Sequence, residues 1–579
     1  MDAATTYNSG PMAHLRLAAY ILLAGMFATI GGCIYPGDLD QSVIGRYQRA
    51  MANKGAQNRG ADGLKPYVPE KFVGPELRTV VDEQAGLKQA FLSLEDAILR
   101  ALANSLDMRV VSYDPSVSYE EMVQAAAEFD YVLNGFVEYD RSDEESSIGA
   151  GPGPMDFVHS EVRTSTYQAG LAKKFITGAE AQLAWTLTRT RGAGAFQTLS
   201  EQYDSRMELS VTQPLLRGAW PEFNLATLKV AKLSYASSTQ QFRQSVEEVI
   251  TAVINGYWAL IQARRDRAIQ QALLDITKQT RERIDKRRAV DATEVEVSQA
   301  ESAVRTRQAD LIRADETLEA TQDQLLRLIG DEQLNQLSGY EVVPTTRPNE
   351  EMVQIDEADQ LLVALQNNPL LEQARIAIQI ADVSVSVARI ETLPELDFQA
   401  SVTGQGIGKA AHEARESMQT GDFIGYSLGL LFQYPIGNRA RIANYRAQKL
   451  SRLQSITAMQ NSADIVAQDV RSKIRRIATA HKEMEAQSAA VLAARDWLDA
   501  LEASEQLQRM SPEFLNVKLQ AQETLALSAR RELAALIAYN SALTDLAQAT
   551  GTVLELHGVQ IALPVAMAEG GAYAFGAPD

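Results

Sequence analysis

Two stretches of this chain are so long and so free of helix-breaking residues that they predict two very long helices. After Pro221 the first continues to about Arg287 without a further proline and with one glycine, Gly256. Its apolar residues recur at helical spacing, as seen at Phe242, Val246, Val249, Val253, Tyr257 and Leu260. At ~1.5 Å per residue this helix would extend ~100 Å. A helix of that kind needs packing partners to be stable in water.

A shorter helical pattern follows each long one. The second long stretch begins near Asn438 and reaches about Gln508 without proline or glycine. Together these patterns predict two long helical hairpins, at about 221–329 and about 438–550. Their many alanines allow close packing between helices.

The segments before the two hairpins correspond to each other. The sequence "ALANSLDMR" from Ala101 is matched by "ALQNNPLLEQAR" from Ala364. Likewise, "SVTQPLLRG" from Ser210 is matched by "LLFQYPIGN" from Leu430. A repeat this long is not a solenoid unit, so the order indicates one architecture that occurs twice. The first copy, the connector and the second copy are assigned to 92–331, 332–357 and 358–553.

Between the short helices and the long ones, apolar and polar residues alternate as in β-strands. The alternation predicts two β-hairpins, at about 178–213 and about 394–436. Pro214 and Pro435 stand where strand gives way to helix, and we interpret them as the junctions. Polar loops are predicted within the hairpins, at 192–202 and 404–422.

One face of these predicted strands is apolar and carries aromatic residues near its ends. Strands of about ten residues with aromatic ends are typical of transmembrane barrels. A half-buried sheet on a soluble core alternates in the same way, so both interpretations stay open here. The candidates for contact with membrane lipid are Trp185, Leu187, Leu209, Phe398, Tyr426, Leu428 and Phe432.

Four predicted strands cannot close a barrel. An open sheet edge in lipid would leave backbone groups without hydrogen bonds, and membrane barrels usually have about eight strands or more. A membrane interpretation therefore requires several copies of the chain to share one barrel. Three copies would supply twelve strands, which is wide enough for a water-filled lumen. The edge argument alone does not fix the number of copies.

The first 32 residues are predicted to be a lipoprotein signal peptide. The apolar run from Leu17 to Ile30 is shorter than the ~20 residues that span a membrane comfortably. The sequence "IGGC" resembles a bacterial lipobox, and its Cys33 is the one cysteine of the chain and the predicted lipidation site. An uncleaved anchor with an incidental thiol is the alternative. The Gly- and Pro-rich segment at 33–91 is interpreted as a tether or irregular arm.

Charge and motifs exclude several classes of protein. The net charge of −19 argues against a nucleic-acid partner, which would require a basic surface. The five histidines are not at metal-ligand spacing, and the sequence has neither a GxxxxGK[ST] phosphate loop nor a GxSxG elbow. The sequence therefore predicts no enzyme, no cofactor and no metal site.

A series of segments, taken in order, resembles the TolC family of outer-membrane efflux proteins. The similarity covers about 92–555, and no segment is specific by itself. The resemblance depends on the order of the segments, which occurs twice, and on the length of the helices between them. The segments are "QPLLRG" from Gln213, "YWAL" from Tyr257, "VSQAE" from Val297, "NNPLLEQAR" from Asn367, "LPELDF" from Leu393, "YPIGNRARIANYRAQ" from Tyr434 and "YNSALTDLAQATGT" from Tyr539.

The resemblance implies a mainly α fold with a transmembrane β-barrel portion. In that family a homotrimer forms a 12-stranded barrel in the outer membrane, continuous with a 12-helix tunnel in the periplasm. Members are passive ducts, to which a periplasmic adaptor and an inner-membrane transporter dock. A lipid-anchored protein in the outer membrane of a Gram-negative-type bacterium is therefore expected, with a large periplasmic part.

The resemblance also places a gate at the two helix-hairpin tips, at about 281–295 and about 508–519. Turns there usually carry a glycine, which this chain lacks at both tips. Our hypothesis is that two acidic residues of the first tip form closing contacts with arginines, and the alternative is ordinary solvated surface charge. The tip residues considered for gating or adaptor contact are Arg287, Arg288, Asp291, Glu294, Arg509, Pro512, Glu513 and Asn516.

The sequence thus favours a passive outer-membrane channel that serves tripartite efflux or type I secretion. One rival is a lipid-anchored periplasmic coiled-coil scaffold whose strands form a small soluble sheet. A second is a receptor or adhesin presented by barrel loops. The tail at 554–579 is not assigned a role.

Overall fold

A computed structural model describes most of the chain. The predicted signal peptide, Cys33 and the larger part of the predicted arm lie outside the described residues, as does the tail beyond residue 559. The described residues are 78–82, 87–148, 156–193, 201–288, 292–331, 334, 340–505 and 511–559.

Helices make up most of the described chain. They are α1 (Leu94–Asn104), α2 (Leu106–Ala126), α3 (Pro221–Asn224), α4 (Ala226–Arg287), α5 (Glu294–Ile329), α6 (Glu357–Asn367), α7 (Pro369–Glu391), α8 (Ala411–Thr420), α9 (Arg439–Glu505), α10 (Pro512–Thr550) and α11 (Val553–Leu556). The strands are β1 (Thr79–Asp82), β2 (Leu87–Leu92), β3 (Tyr131–Ile148), β4 (Asp156–Lys174), β5 (Glu180–Ala193), β6 (Glu201–Pro214), β7 (Glu341–Pro344), β8 (Glu395–Gly408) and β9 (Ile424–Gln433).

The two longest helices, α4 with 62 residues and α9 with 67, occupy the two long stretches identified in the sequence. Helix α5 packs along α4, α10 packs along α9, and α4 also contacts α10, so the two hairpins pack together. Local sequence sets the ends of the returning helices. Thr293 and Glu296 form a capping box at the start of α5. Pro512 occupies the first turn of α10, where its missing N–H costs nothing.

The main hydrophobic core lies where the short helices meet the long ones. Tyr257 of α4 is fully buried in it, among Ile254, Leu260 and Leu325. The Tyr257 hydroxyl donates a hydrogen bond to the carbonyl oxygen of Leu92 at 3.1 Å and accepts one from the Thr346 backbone N–H at 2.9 Å. The core therefore fixes the connector between the two copies to the first hairpin.

Tyr539 makes the corresponding contacts on the second hairpin. Its hydroxyl donates to the carbonyl oxygen of Glu351 at 2.8 Å and accepts from the Val353 backbone N–H at 3.0 Å. Asn540 adds a bond from its side-chain amide to the carbonyl oxygen of Asn349 at 3.0 Å. The connector is thus fastened to both hairpins by buried side chains.

The larger sheet has six described strands, in the order β3-β4-β5-β6-β8-β9, and every neighbouring pair is antiparallel. The hairpins expected at about 178–213 and 394–436 correspond to β5–β6 and β8–β9. The prediction of four strands per chain is wrong, because β3 and β4 form an additional long hairpin beside β5. The twelve-stranded barrel expected from three copies depended on that count of four.

A small second sheet contains β1, β2 and β7. Strand β2 pairs antiparallel with β1 and parallel with β7, which lies in the connector. The interpretation of 33–91 as an irregular arm is therefore wrong near its end, where β1 and β2 form strands. The short apolar segment LKQAFL of β2 gains its partner from the connector, more than 200 residues away in sequence.

The predicted loop at 404–422 is also not wholly a loop. Strand β8 continues to Gly408, and α8 then packs back against β8 and β6. Ala414, on the side of α8 that faces the sheet, is fully buried. The many polar residues of this segment concealed a short amphipathic helix.

Candidate functional site

The six-stranded sheet has one apolar face that continues across every strand. Because side chains alternate along a strand, alternate residues join each face. One row of this face consists of Leu133, Leu171, Leu183, Leu209, Val402 and Tyr426, which lie opposite one another in the register. The residues considered for lipid contact all belong to the same face: Trp185, Leu187, Leu209, Phe398, Tyr426, Leu428 and Phe432.

The opposite face is mostly polar. One of its rows consists of Gln168, Thr186, Arg206 and Gln405 on adjacent strands. Within this face the Gln405 side-chain amide donates to Asp204 Oδ2 at 2.5 Å. Hydroxyl, amide and charged groups on this face suit contact with water.

Much of the apolar face is open. The exposed fraction is 81% for Leu133 and 82% for Tyr426, which belong to the first and last strands of the sheet. Contiguous apolar surface of this kind marks a site that lipid or another protein surface covers. The two faces of the sheet therefore suit different surroundings, one apolar and one aqueous.

Helix α8 covers part of the apolar face at the end farthest from the long helices. Its close approach depends on glycine, because a Cβ on Gly406 would lie 2.2 Å from the Met418 nitrogen and 2.3 Å from the Ala414 oxygen. The Met418 sulfur accepts a hydrogen bond from the Ser205 hydroxyl at 3.5 Å, and the Trp185 indole donates to that hydroxyl at 3.0 Å.

Both strand-to-helix junctions contain the expected proline followed by a glycine with positive φ. Pro214 ends β6 and is followed by Gly218, with φ of 87°. Pro435 follows β9 and precedes Gly437, with φ of 88°. Only glycine adopts this conformation without steric cost. The first junction leads through the short helix α3 into α4, and the second leads into α9.

At the first helix-hairpin tip, a charge pair forms within the tip itself. Arg288 Nη2 donates to both Glu294 oxygens, at 3.1 and 3.0 Å, and both side chains are exposed. Arg287 lies at the end of α4. Asp291 lies outside the described residues, so its predicted contacts with arginine stay a hypothesis.

At the second tip, Ser511 caps α10 by accepting a hydrogen bond from the Phe514 N–H at 3.3 Å. A hydrogen bond from Ser511 lowers the pKa of the neighbouring Glu513 carboxyl. Glu513 and Asn516 are exposed, and Pro512 is partly buried. Arg509 lies outside the described residues. The exposed residues form a polar surface at the start of α10.

The two tips are joined by residues that the sequence analysis did not identify. Arg283 of α4 lies 3.5 Å from Glu505 of α9, measured between Nη1 and Oε2. Glu505 also accepts a hydrogen bond from the fully buried Lys518 of α10. Next to these charges, Ile284, Ala300, Leu515 and Leu519 form a small apolar cluster between the hairpins.

Farther from the tips, a buried polar layer crosses the bundle. Arg307 Nη2 donates to the Leu519 carbonyl oxygen at 2.9 Å, and Nη1 donates to Gln522 Oε1 at 3.2 Å and to Thr277 Oγ1. Gln522 donates in turn to Thr280 Oγ1 at 3.1 Å. Burial lowers the pKa of the Arg307 guanidinium. A fully bonded polar layer of this kind favours one register of the helices over others.

Within the described ranges, no helix combines enough length with enough apolar character to span a bilayer.

Several solved structures with a similar fold are outer-membrane channels. The Campylobacter jejuni CmeC channel aligns with a TM-score of 0.58 and 15% identity, over 79% of this chain and 86% of that one. The chain has the fold of the TolC-type outer-membrane channels. The Neisseria gonorrhoeae MtrE channel, solved in its open state, aligns with a TM-score of 0.57 and 16% identity over 80% and 89% of the two chains.

The TolC-type fold also occurs in VceC of Vibrio cholerae, with a TM-score of 0.56 and 15% identity over 79% and 96% of the two chains. No protein-family model matches the sequence, and no curated protein matches it. At these identities the alignments establish the fold, and the resemblance drawn from the sequence motifs points to the same TolC-type architecture.

Proposed function

We propose that the chain is a passive exit channel in the outer membrane of a Gram-negative-type bacterium, and that it acts as a homotrimer. The two-faced sheet is the observation that carries the proposal. Its apolar face suits membrane lipid, and its polar face suits a water-filled lumen. The role is that of a conduit rather than an enzyme.

The sheet edges support assembly with further copies. Within the described chain, β3 and β9 each pair with one neighbour only. Their remaining backbone groups require partners in a bilayer, and pairing β3 of one copy with β9 of the next supplies them. Three six-stranded sheets then form a barrel of eighteen strands rather than twelve. Barrels of 16–18 strands enclose an aqueous channel.

The helical part carries exposed apolar residues at the same two edges. Leu106, Val110 and Val117 are exposed on α2, which precedes β3. Leu450 and Leu453 are exposed on α9, which follows β9. We assign both sets to contacts between copies. Three chains, each with four long helices, would complete a twelve-helix tunnel.

The finer parts of the proposal come from the sequence motifs. Cys33 is proposed to carry lipid, with the barrel as the main anchor, since one acylated site gives only modest membrane affinity. The hairpin tips are proposed to contact a periplasmic adaptor, which links the channel to an inner-membrane transporter. Efflux of small molecules and type I secretion of proteins are both compatible with a passive duct of this kind.

Purified full-length protein tests the proposal directly. The channel requires heat-modifiable oligomers in outer-membrane fractions and ion conductance in planar bilayers. The rival, a lipid-anchored periplasmic scaffold, requires a detergent-free soluble monomer after removal of the N-terminal segment. A hollow eighteen-stranded rim in an image of the oligomer would establish the strand number. A soluble, non-conducting monomer would refute the channel.

A further inference from the structure

Three arginines lie directly opposite one another on the apolar face of the sheet. In the register, Arg141 of β3 faces Arg163 of β4, and Arg163 faces Arg191 of β5. Arg189 of β5 lies one row closer to the apolar residues. Like charges directly opposite on neighbouring strands are destabilising. This arginine pairing continues across three strands. An anionic partner would therefore relieve the repulsion between the arginines.

Carboxylates beside the arginines offset part of the repulsion. Glu161 Oε1 lies 3.0 Å from Arg141 Nε and 2.6 Å from Arg163 Nη2. Glu201 lies 2.5 Å from Arg189 and 2.9 Å from Arg191, measured between oxygen and Nη2.

The arginines lie farther out than these carboxylates. The side chains of Arg141 and Arg191 are each 53% exposed, against 27% for Glu161 and 29% for Glu201. Each guanidinium carries five N–H donors in a planar fork. Asp143, which lies 3.8 Å from Arg141 Nη2 and is 44% exposed, is a further acid of the cluster. The exposed surface of the cluster therefore consists mostly of guanidinium groups, held in place by neighbouring acids.

The cluster lies at the height on the sheet where the membrane interface is expected. It lies on the lipid-compatible face, toward the strand ends that are farthest from the long helices. Tyr139 and Tyr203 occupy the row between the cluster and the apolar band. Tyr139 and Arg141 are two positions apart along the strand, or ~7 Å. Aromatic residues mark the membrane interface in such barrels, so the arginines reach the level of lipid head groups.

We propose that this row of arginines, which we call the arginine row (Arg141, Arg163 and Arg191), binds the phosphate groups of an anionic membrane lipid in the outer leaflet. The inference rests on the proposed function, because it needs the apolar face to contact lipid. Guanidinium groups bind phosphate oxygens through paired N–H donors. A lipid whose acyl chains lie on the apolar band presents its phosphates beside the arginine row.

The geometry favours lipid over free phosphate. The row is open and half-exposed, so solvent screens its attraction for a small ion in solution. A lipid is already held against the sheet by its acyl chains, and each phosphate contact then adds to an existing interaction. Binding is expected to require the phosphates and the acyl chains together.

Lipid titration of the purified full-length oligomer in non-ionic detergent tests the proposal. The probes are bis-phosphorylated lipid A, the same glycolipid without phosphates, and inorganic phosphate. The variant R141Q/R163Q/R191Q removes the charges of the arginine row. R206Q removes an arginine from the polar face of the same sheet and is the matched control. Affinities are measured by thermophoresis, and bound lipid is identified by native mass spectrometry.

The wild type and R206Q are expected to bind phosphorylated lipid A equally. The triple variant is expected to bind it about 100-fold more weakly, as three basic contacts are lost. Equal affinity of the triple variant and the wild type overturns the proposal. So does equal affinity for the two glycolipids, or full competition by inorganic phosphate.

A milder variant tests the proposal if the triple variant does not assemble. R163K keeps the charge but loses the paired donors, and it is expected to bind about tenfold more weakly; unchanged affinity overturns the proposal. Conductance of the same preparations distinguishes failure of the channel from failure of the lipid site. A wild type that neither inserts nor conducts refutes the channel itself. A conducting wild type with no preference for phosphorylated lipid refutes the lipid site alone.

Discussion

Tyr257 and Tyr539, which belong to different helical hairpins, fasten the same connector through their hydroxyl groups. Tyr257 holds the connector at Thr346, and Tyr539 holds it at Glu351 and Val353. Both rings are fully buried. The two copies of the architecture are therefore joined by hydrogen bonds as well as by the continuous chain.

Replacing either tyrosine by phenylalanine should lower stability without changing the fold. Tyr257→Phe leaves the backbone N–H of Thr346 without its acceptor, and Tyr539→Phe does the same for Val353. Each change is expected to cost about 1–3 kcal/mol. Thermal unfolding of the oligomer in detergent measures the loss. Tyr434→Phe, at a partly exposed position near the β9 end, is the control and should have little effect.

Stability should fall as pH rises from about 4.5 to about 7. Burial raises the pKa of the Glu247 carboxyl to about 7, even though Arg243 Nε lies 3.1 Å away and acts in the opposite direction. Glu248 and Glu555 raise it further. Between those pH values the folded state binds a proton that the unfolded state has released, so the unfolding free energy decreases with pH. Glu247→Gln should flatten this part of the pH profile of the melting temperature. An identical profile in the variant would contradict the assignment.

An arginine introduced on the apolar face of β6 should impair assembly, whereas one on the polar face should not. Leu209→Arg places a guanidinium on the apolar face, where an arginine in the bilayer core costs about 2–4 kcal/mol. Oligomer yield in the outer membrane should drop. Ser210→Arg places the same group on the polar face, and we expect normal assembly with altered ion selectivity. Equal yields of the two variants would be inconsistent with a membrane barrel.

The contact between the hairpin tips should affect the channel conductance. Arg283→Glu faces Glu505 with a like charge, which should separate α4 from α9 near the tips. The expected result is a higher single-channel conductance or more frequent opening. Arg283→Lys keeps a positive charge opposite Glu505 and leaves the Glu505–Lys518 contact in place, so it should behave like the wild type. Conductance that is the same in all three proteins would show that this pair has no part in gating.

Docking of α8 should depend on one glycine. Gly406→Val would force its side chain into the Ala414 and Met418 backbone, so α8 should leave the sheet. Trypsin should then cleave faster at Arg415. Gly429→Val, in the same sheet, places its Cβ where no atom lies within 4 Å and is the matched control. Equal cleavage rates would contradict the close packing.

Part of this fold could be read from the sequence because its signals are local. Helices of 62 and 67 residues leave a long periodic pattern, and Pro512 marks a helix start by its own chemistry. The alternation in β5, β6, β8 and β9 was equally clear. The faces of the sheet followed from it, because a period of two fixes which residues share a side.

The extra hairpin was missed for physical reasons. Its first half alternates, with Leu133, Val137 and Tyr139 on one face, but the rest of β3 reads DRSDEESSI and lacks an apolar face. Among the described residues, the second copy has no additional hairpin that corresponds to β3 and β4. Contacts such as Arg283 to Glu505 depend on how two long helices are rotated about their axes. Sequence periodicity does not determine that rotation.

The pairing of β6 with β8 also determines the order in which the parts of the sheet can form. Strands β3 to β6 are consecutive in the chain, so each can pair with its neighbour without waiting for a distant segment. Met207 pairs with Gly404, and joining residues roughly 200 positions apart makes such a contact slow to form. The sheet can be finished only after the first helical hairpin and the connector have been synthesised. A truncated chain that ends before β8 would thus leave the backbone groups along one edge of β6 unpaired, and an exposed strand edge of this kind promotes aggregation.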